Sequence, residues 1–288
     1  MTNEEKGGIG RAAQPLNSPF AGRRTVHIVV CLKQIIDPEI APSEFQIDPV
    51  CKEQIRGKHA LVISTFDEHA LEVAVQAKEK TGGKVTALTI AGEEGSEALH
   101  TALAIGADEV VLLSDPTFSD TDSFGKTRIL AAALHKLGEF DAVLCGRQAG
   151  DVELGVTGPF LAEELGLPCI ALVANIEPDR DRVRLRRPVE NGYEILEAPL
   201  PFVATVTNDE SNVPRLPTVR AIRAAVRKAV PIWTAEEIGV EAGPEAAKIE
   251  LQELFIPKRE VRCEFIGGKS GQEKGENLAL RLRELTLI

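Results

Sequence analysis

Aromatic side chains are scarce in this chain, at 4% of 288 residues with one Trp and one Tyr. That leaves no material for a platform on which nucleic-acid bases stack. Positive charge is in deficit as well: 33 Lys and Arg against 44 Asp and Glu give a net charge of −11. A general nucleic-acid binder or a protein adhering to anionic membranes needs the opposite balance. No apolar run approaches the roughly 20 residues of a membrane-spanning helix. The first 24 residues lack the apolar centre of a secretory signal, so no membrane insertion and a cytoplasmic location are expected. Cysteine is sparse and odd in number: Cys31, Cys51, Cys145, Cys169 and Cys263 form no C-x-x-C pair and have no His at metal-ligand spacing. A disulfide framework and a structural zinc site are therefore disfavoured, and the thiols are expected to be reduced and mostly buried. His27, His59, His69, His100 and His135 stand in no Ser-His-Asp or Cys-His order, so acid–base chemistry has no obvious owner and no catalytic residue is assigned.

What is present is a rhythm. Residues 1–24 are polar, rich in Gly, Pro and Arg, and without period, which predicts a flexible leader. Thr25–Leu32 is apolar and β-branched almost throughout, as a strand covered on both faces must be. A long Pro-punctuated connection follows. Ser64, Thr65 or Asp67 then caps a helix with an apolar stripe, which Gly82-Gly83 ends. Three further strand–helix units are expected: 84–90 with 96–105, 109–113 with 122–137, and 142–145 with a helix from about 155 to 165. Such alternation predicts an α/β fold with a mostly parallel, doubly wound sheet, and its ligands sit at the carboxyl ends of the strands where strand order reverses. Beyond Pro168 the segments become short and alternating, with a turn at Glu190–Gly192, and read as an antiparallel addition to the sheet. The expected domains are a nucleotide-binding body over 25–228 and a C-terminal arm over 229–288. Leu278, Leu282 and Leu285 share one helical face of that arm, suited either to a partner subunit or to folding back on the body.

Among the candidate site residues, the stretch from Cys145 to Pro159 is the most informative. It leaves a buried strand, spends four glycines (Gly146, Gly150, Gly155 and Gly158) and enters a helix, so free main-chain N–H groups and a helix dipole meet at one place. Arg147, Gln148, Ala149, Asp151 and Val156 complete the turn, and the Thr157 hydroxyl is available to a phosphate. A tight turn without any ligand satisfies the same glycines. Ser64, Thr65, Phe66 and Asp67 belong to the same rim. Phe66 either offers its ring to a flat ligand or staples the helix start. Cys31 and Ile90 end their strands there, where they line an adenine slot or simply pack the core.

Several segments together resemble the beta subunit of electron transfer flavoprotein, nitrogen-fixation-type relatives included. They are Val29–Asp37, Ser64–Glu72, Thr101–Asp108, Gly146–Ala149 with Thr157-Gly158, Val189–Glu194 leading to Leu200–Thr205, Leu216–Ala221 and Leu254–Pro257. The resemblance implies a heterodimer with an alpha subunit, a redox-active FAD shared between the subunits, and an AMP buried in this chain. It also implies electrons arriving from acyl-CoA or other flavin dehydrogenases and leaving to a quinone- or ferredoxin-linked acceptor. The nucleotide pocket it implies is Cys31, Ser64, Thr65, Phe66, Asp67, Ile90 and the stretch from Ala142 to Thr157, with the Phe66 ring near the flavin. A bifurcating branch of the family holds a second FAD in place of AMP and reads Asp-Gly-Asp-Thr-Ala-Gln where this chain has Asp151 to Val156 as Asp-Val-Glu-Leu-Gly-Val. AMP is therefore the expectation and a second FAD the alternative. An adenine-nucleotide module without redox work is a third reading, and it leaves the arm unexplained.

Overall fold

The computed structural model describes residues 25–119, 121–179, 182–244, 247–257 and 263–288. The proposed leader lies outside the described residues.

In chain order the elements are β1 (His27–Leu32), β2 (Gln34–Ile36), β3 (Ile47–Asp48), β4 (Glu53–Gln54), β5 (Leu61–Ile63), α1 (Thr65–Thr81), β6 (Lys84–Ile90), α2 (Ser96–Ile105), β7 (Glu109–Leu113), α3 (Ser123–Leu137), β8 (Ala142–Gly146) and α4 (Thr157–Leu165). There follow β9 (Cys169–Val173), β10 (Asn175–Asp179), β11 (Arg182–Val189), β12 (Gly192–Pro199), β13 (Phe202–Val206), α5 (Val219–Ala225), β14 (Ile232–Trp233), α6 (Ala235–Ile238) and α7 (Gly271–Glu284). By contact the described residues form two units, one made of those up to Phe45 and those between Arg56 and Glu250, the other of Gln46–Ile55 and those from Leu251 on.

The first unit is an α/β body on a seven-stranded sheet of order β14-β7-β6-β1-β8-β13-β9, and every pairing in it is parallel. The central strand shows why this sequence folds so. Its residues alternate between faces: Ile28, Val30 and Leu32 join the core built with α1 and α2, whereas Val29 and Cys31 join the core built with α3 and α4. A strand covered on both sides has no polar face, hence its uninterrupted apolar run. Helix α1 ends where Gly82 adopts a left-handed φ of 73° and donates its N–H to Lys78 O. Helix α3 begins where the Asp122 carboxylate accepts from Gly125 N.

The segments after Pro168 differ from expectation. β9 and β13 are parallel members of the main sheet, β13 lying between β8 and β9. The antiparallel part is a separate three-stranded sheet, β10-β11-β12. Its inward residues Ile176, Val183, Leu185 and Ala198 pack into the α1-side core. Short strands of this kind are alike in sequence, and only the returning connection decides which sheet each joins. Residues 229–244 and 247–250 belong to the first unit, where β14 pairs with β7 and lengthens the sheet edge.

In the second unit β3 and β4 form a two-stranded hairpin, and Lys52 Nζ donates to Leu251 O at 2.6 Å. Helix α7 is capped by Ser270, whose hydroxyl accepts from Glu273 N. None of its residues is buried, and Phe255, Phe265, Leu280, Leu287 and Ile288 all stand exposed. Among the described residues no helix is long and apolar enough to cross a membrane.

Candidate functional site

Strand order reverses between β1 and β8. From β1 the chain winds outward through β6 and β7, then returns past β1 to β8. At such a switch point the loops leaving neighbouring strands diverge and open a crevice at the carboxyl edge. Here those loops begin at Lys33 and Arg147, and the N-terminus of α1 lies between them.

The contact with α1 is close. A Cβ on Gly146 would lie 2.5 Å from Asp67 Oδ1 and 2.7 Å from the Phe66 carbonyl carbon, so only glycine lets the helix start meet the strand end. Asp67 is buried; its Oδ1 accepts from Gly146 N and its Oδ2 from Lys33 N, each at 2.8 Å. Burial pushes the Asp67 carboxyl up to about 7, against the two N–H donors and the Lys33 charge, which pull it down. Ser64 occupies the N-cap position of α1, yet its fully buried hydroxyl accepts from Gly150 N at 3.1 Å instead of capping its own helix. The Lys33 ammonium pairs with Asp151 at 2.6 Å. Three bridges thus tie the turn after β8 to the segments after β1.

The turn itself carries left-handed backbone at Glu153 (φ 57°) and Gly155 (φ 66°), and Glu153 N closes it onto Ala149 O. Helix α4 begins at Thr157 with Val156 at its N-cap and no side-chain cap, two residues later than the glycine pattern suggests. Its first intrahelical-type bond is Phe160 N to Val156 O, and Pro159 has no N–H, so the amides of Thr157 and Gly158 face outward from the helix start. Gly158 is required for packing: a Cβ there would fall 2.3 Å from Thr205 Cγ2. The Arg147 guanidinium lies 4.3 Å from the centre of the Phe66 ring, and its buried Nε has no partner among the described residues. Amides without an intrahelical partner at a helix start, a hydroxyl at Thr157 and an orphaned guanidinium N–H are the donor set that suits a phosphate-bearing ligand.

Of the sequence-derived candidates, Ser64, Phe66, Asp67 and the stretch from Cys145 through Gly146, Arg147, Gln148, Ala149, Gly150, Asp151, Gly155 and Val156 to Thr157 converge on this crevice. Thr65 begins α1 and is exposed. Cys31 is the register partner of Cys145 on the crevice floor. Ile90 stands one strand away, on β6, paired with Leu113 of β7. The neighbouring Cys31 thiol, and then burial, push the Cys145 thiol well above its ordinary value, so Cys145 is not poised as a nucleophile. All five cysteines are free, but Cys51, Cys169 and Cys263 are exposed, a correction to the expectation of mostly buried thiols. Among the described residues no cluster of His, Cys, Asp or Glu is placed to hold a metal. Lys33 was not among the candidates. It lies within the resembling stretch Val29–Asp37, but nothing in its spacing announces that its main chain and its side chain both reach across the crevice.

Residues 55–238 match the model of the electron transfer flavoprotein domain. The chain belongs to the electron transfer flavoprotein family. It is 36% identical to an electron transfer flavoprotein subunit beta of Thermoanaerobacterium thermosaccharolyticum over 91% of this chain and all of that protein. It is 33% identical to the caffeyl-CoA reductase-Etf complex subunit CarD of Acetobacterium woodii over the same shares. A third relative is protein FixA of Azorhizobium caulinodans, 34% identical over 81% of this chain and 85% of that one. The matched domain holds α1, β8 and the turn into α4, whereas β1 and Lys33 precede it.

Proposed function

We propose that this chain buries an AMP at the β1/β8 crevice and, with an alpha subunit, encloses a redox-active FAD in a cytoplasmic electron carrier. The observation that carries the reading is the turn Gly146–Thr157, held open against α1 by Asp67 and Ser64 and ending in the outward amides of Thr157 and Gly158. Those amides and the helix dipole take the phosphate. Cys31 and Cys145 floor the adenylate site, and Lys33 and Asp151 close its mouth. Phe66, at the rim and stacked under Arg147, faces the partner subunit's cofactor. The isoalloxazine of FAD, when bound, supplies the electron-carrying chemistry; this chain places it, shields it and sets charge around it. The C-terminal part of the second unit, from Leu251 on, is the arm that packs on the alpha subunit, and that contact covers Phe255, Phe265 and the leucines of α7. Electrons arrive from acyl-CoA or other flavin dehydrogenases and pass to a quinone- or ferredoxin-linked acceptor.

A second reading is favoured by the likeness to a subunit of a caffeyl-CoA reductase-Etf complex: a bifurcating, NADH-dependent assembly whose beta chain holds a second FAD in place of AMP. Denaturing the co-expressed pair and identifying the released nucleotides by mass separates the two. One FAD and one AMP per heterodimer supports the carrier, two FAD the bifurcating assembly, and no nucleotide from this chain's side overturns both.

A further inference from the structure

The backbone ladder between β1 and β8 ends at the Cys31–Cys145 pair. Past it the strands part: Arg147 N turns to Val206 O on β13, while Ser64 N takes Lys33 O. Of the three bridges across the gap, the one nearest the split joins both main chains through a single side chain. Asp67 offers one carboxylate oxygen to each parted end, Oδ2 to Lys33 N and Oδ1 to Gly146 N. The glycine at 146 is what admits it, since any Cβ there would strike Asp67 itself.

We propose that Asp67 is a positioning residue whose ionised carboxylate clasps the parted ends of β1 and β8, and that a proton on it frees one end and loosens the site's hold on its nucleotide. The proposal rests on the nucleotide reading of the crevice. Both partners of Asp67 are donors, so a protonated carboxyl would turn an O–H toward an N–H and keep only one of the two bonds. The charged and titratable groups around it are the Lys33 ammonium, Asp151 across the mouth, the Cys145 thiol on the floor and Arg147 over Phe66. His69, two residues along α1, points away to Asn212. With the carboxyl pushed up to about 7 by burial, its charge state changes near neutral pH. The linkage sign is that of a raised carboxyl: as pH climbs from the unfolded value through 7, the fold gives up stability to keep this charge buried. A charge retained at that cost has a use at a site rather than in the core.

The test uses the full chain. Amide NMR shifts of Lys33 and Gly146 are followed against pH in wild type and in Asp67→Asn, and AMP affinity is measured across the same range. Both amides should titrate together in wild type with a midpoint near 7, and not in the variant. Asp67→Asn should bind AMP about tenfold more weakly at pH 8, the ratio expected from losing one charge-assisted bond. That gap should close as the pH falls toward about 5.5. The phosphate's own second ionisation, near 6, cancels in the ratio of the two proteins. Amides that do not share a titration, or an affinity ratio that stays constant with pH, overturn the clasp. If neither protein binds AMP at any pH, the nucleotide reading falls, and the amide titrations alone decide whether Asp67 holds the strand ends.

Discussion

Replacing Asn212 with Ala should be among the most damaging single changes in the body, although Asn212 touches no proposed ligand. Its side chain is fully buried. Nδ2 donates to Ala174 O at 2.9 Å and to Thr207 O at 2.8 Å, while Oδ1 accepts from Asp209 N at 2.8 Å and from His69 Nδ1 at 2.9 Å. Asn212→Ala leaves Ala174 O, Thr207 O and Asp209 N without these bonds, whereas His69 keeps the Asn212 carbonyl. An orphaned buried group costs about 1–3 kcal/mol, and water entry and local relaxation return part of that, so the net loss should be about 3 kcal/mol. Urea unfolding of the two proteins at equal m-value reads it directly as a lower midpoint. Asn212→Asp is the informative companion. At neutral pH its carboxylate would face two carbonyl oxygens and should be at least as harmful, whereas acidification restores one donor and should recover part of the loss. A loss under about 1 kcal/mol for Asn212→Ala, or an Asn212→Asp variant indifferent to pH, would refute this account of the hub.

Gly146→Ala should separate β8 from the start of α1, because its Cβ meets the main chain of Phe66 and Asp67 as well as the Asp67 carboxylate, and the main chain cannot swing aside. An overpacking loss of about 1–3 kcal/mol is expected by thermal or urea unfolding, together with AMP binding reduced more than that of Gly166→Ala, where a Cβ meets nothing within 4 Å. Arg215 pairs with Glu72 at 2.8 Å and Glu79 at 2.6 Å. Burial raises the Glu72 carboxyl, but the Arg215 and Gln76 hydrogen bonds outweigh it, and the net shift is downward. That pairing therefore contributes stability above the ordinary Glu value, lost as pH falls through the lowered one. Arg215→Ala should flatten this acid limb in a stability-against-pH series, and an unchanged limb would show the pair to be inert. If AMP occupies the crevice, adding it at 100 times its dissociation constant should stabilise the full chain by about 2.7 kcal/mol, seen as a concentration-dependent rise in melting temperature that Asp67→Asn reduces.

The periodic part of the fold was readable residue by residue. Strands 84–90 and 109–113 and helix 96–105 lie where apolar pattern and glycine punctuation put them, because each of these elements is specified by its own short stretch. Partner choice was not readable. Nothing local to Cys169–Val173 or Phe202–Val206 says that they lie parallel in the main sheet while the strands between them form another. At the site, the glycines and the strand-to-helix passage marked the turn, and the cap position marked Ser64 and Asp67. The use of those two side chains was misjudged: both reach across to the turn after β8 instead of serving α1. Lys33, Asn212 and Arg215 escaped notice for a common reason. Each acts on residues far away in sequence, from 34 to 143 positions off, and such partnerships exist only once the chain has closed on itself.

The short strand Ile232–Trp233 at the outer margin of the main sheet carries the sole tryptophan of the chain, with the Lys136 ammonium 4.5 Å above its ring. Indole emission is therefore a single-address reporter. It watches the far border of the sheet, four strands from β8, without interference from any second indole. Peeling of that border should redden and quench the signal before ligand release is complete if the margin loosens first, and after it if the crevice does. One cuvette experiment can thus order two events that ordinary melting curves merge.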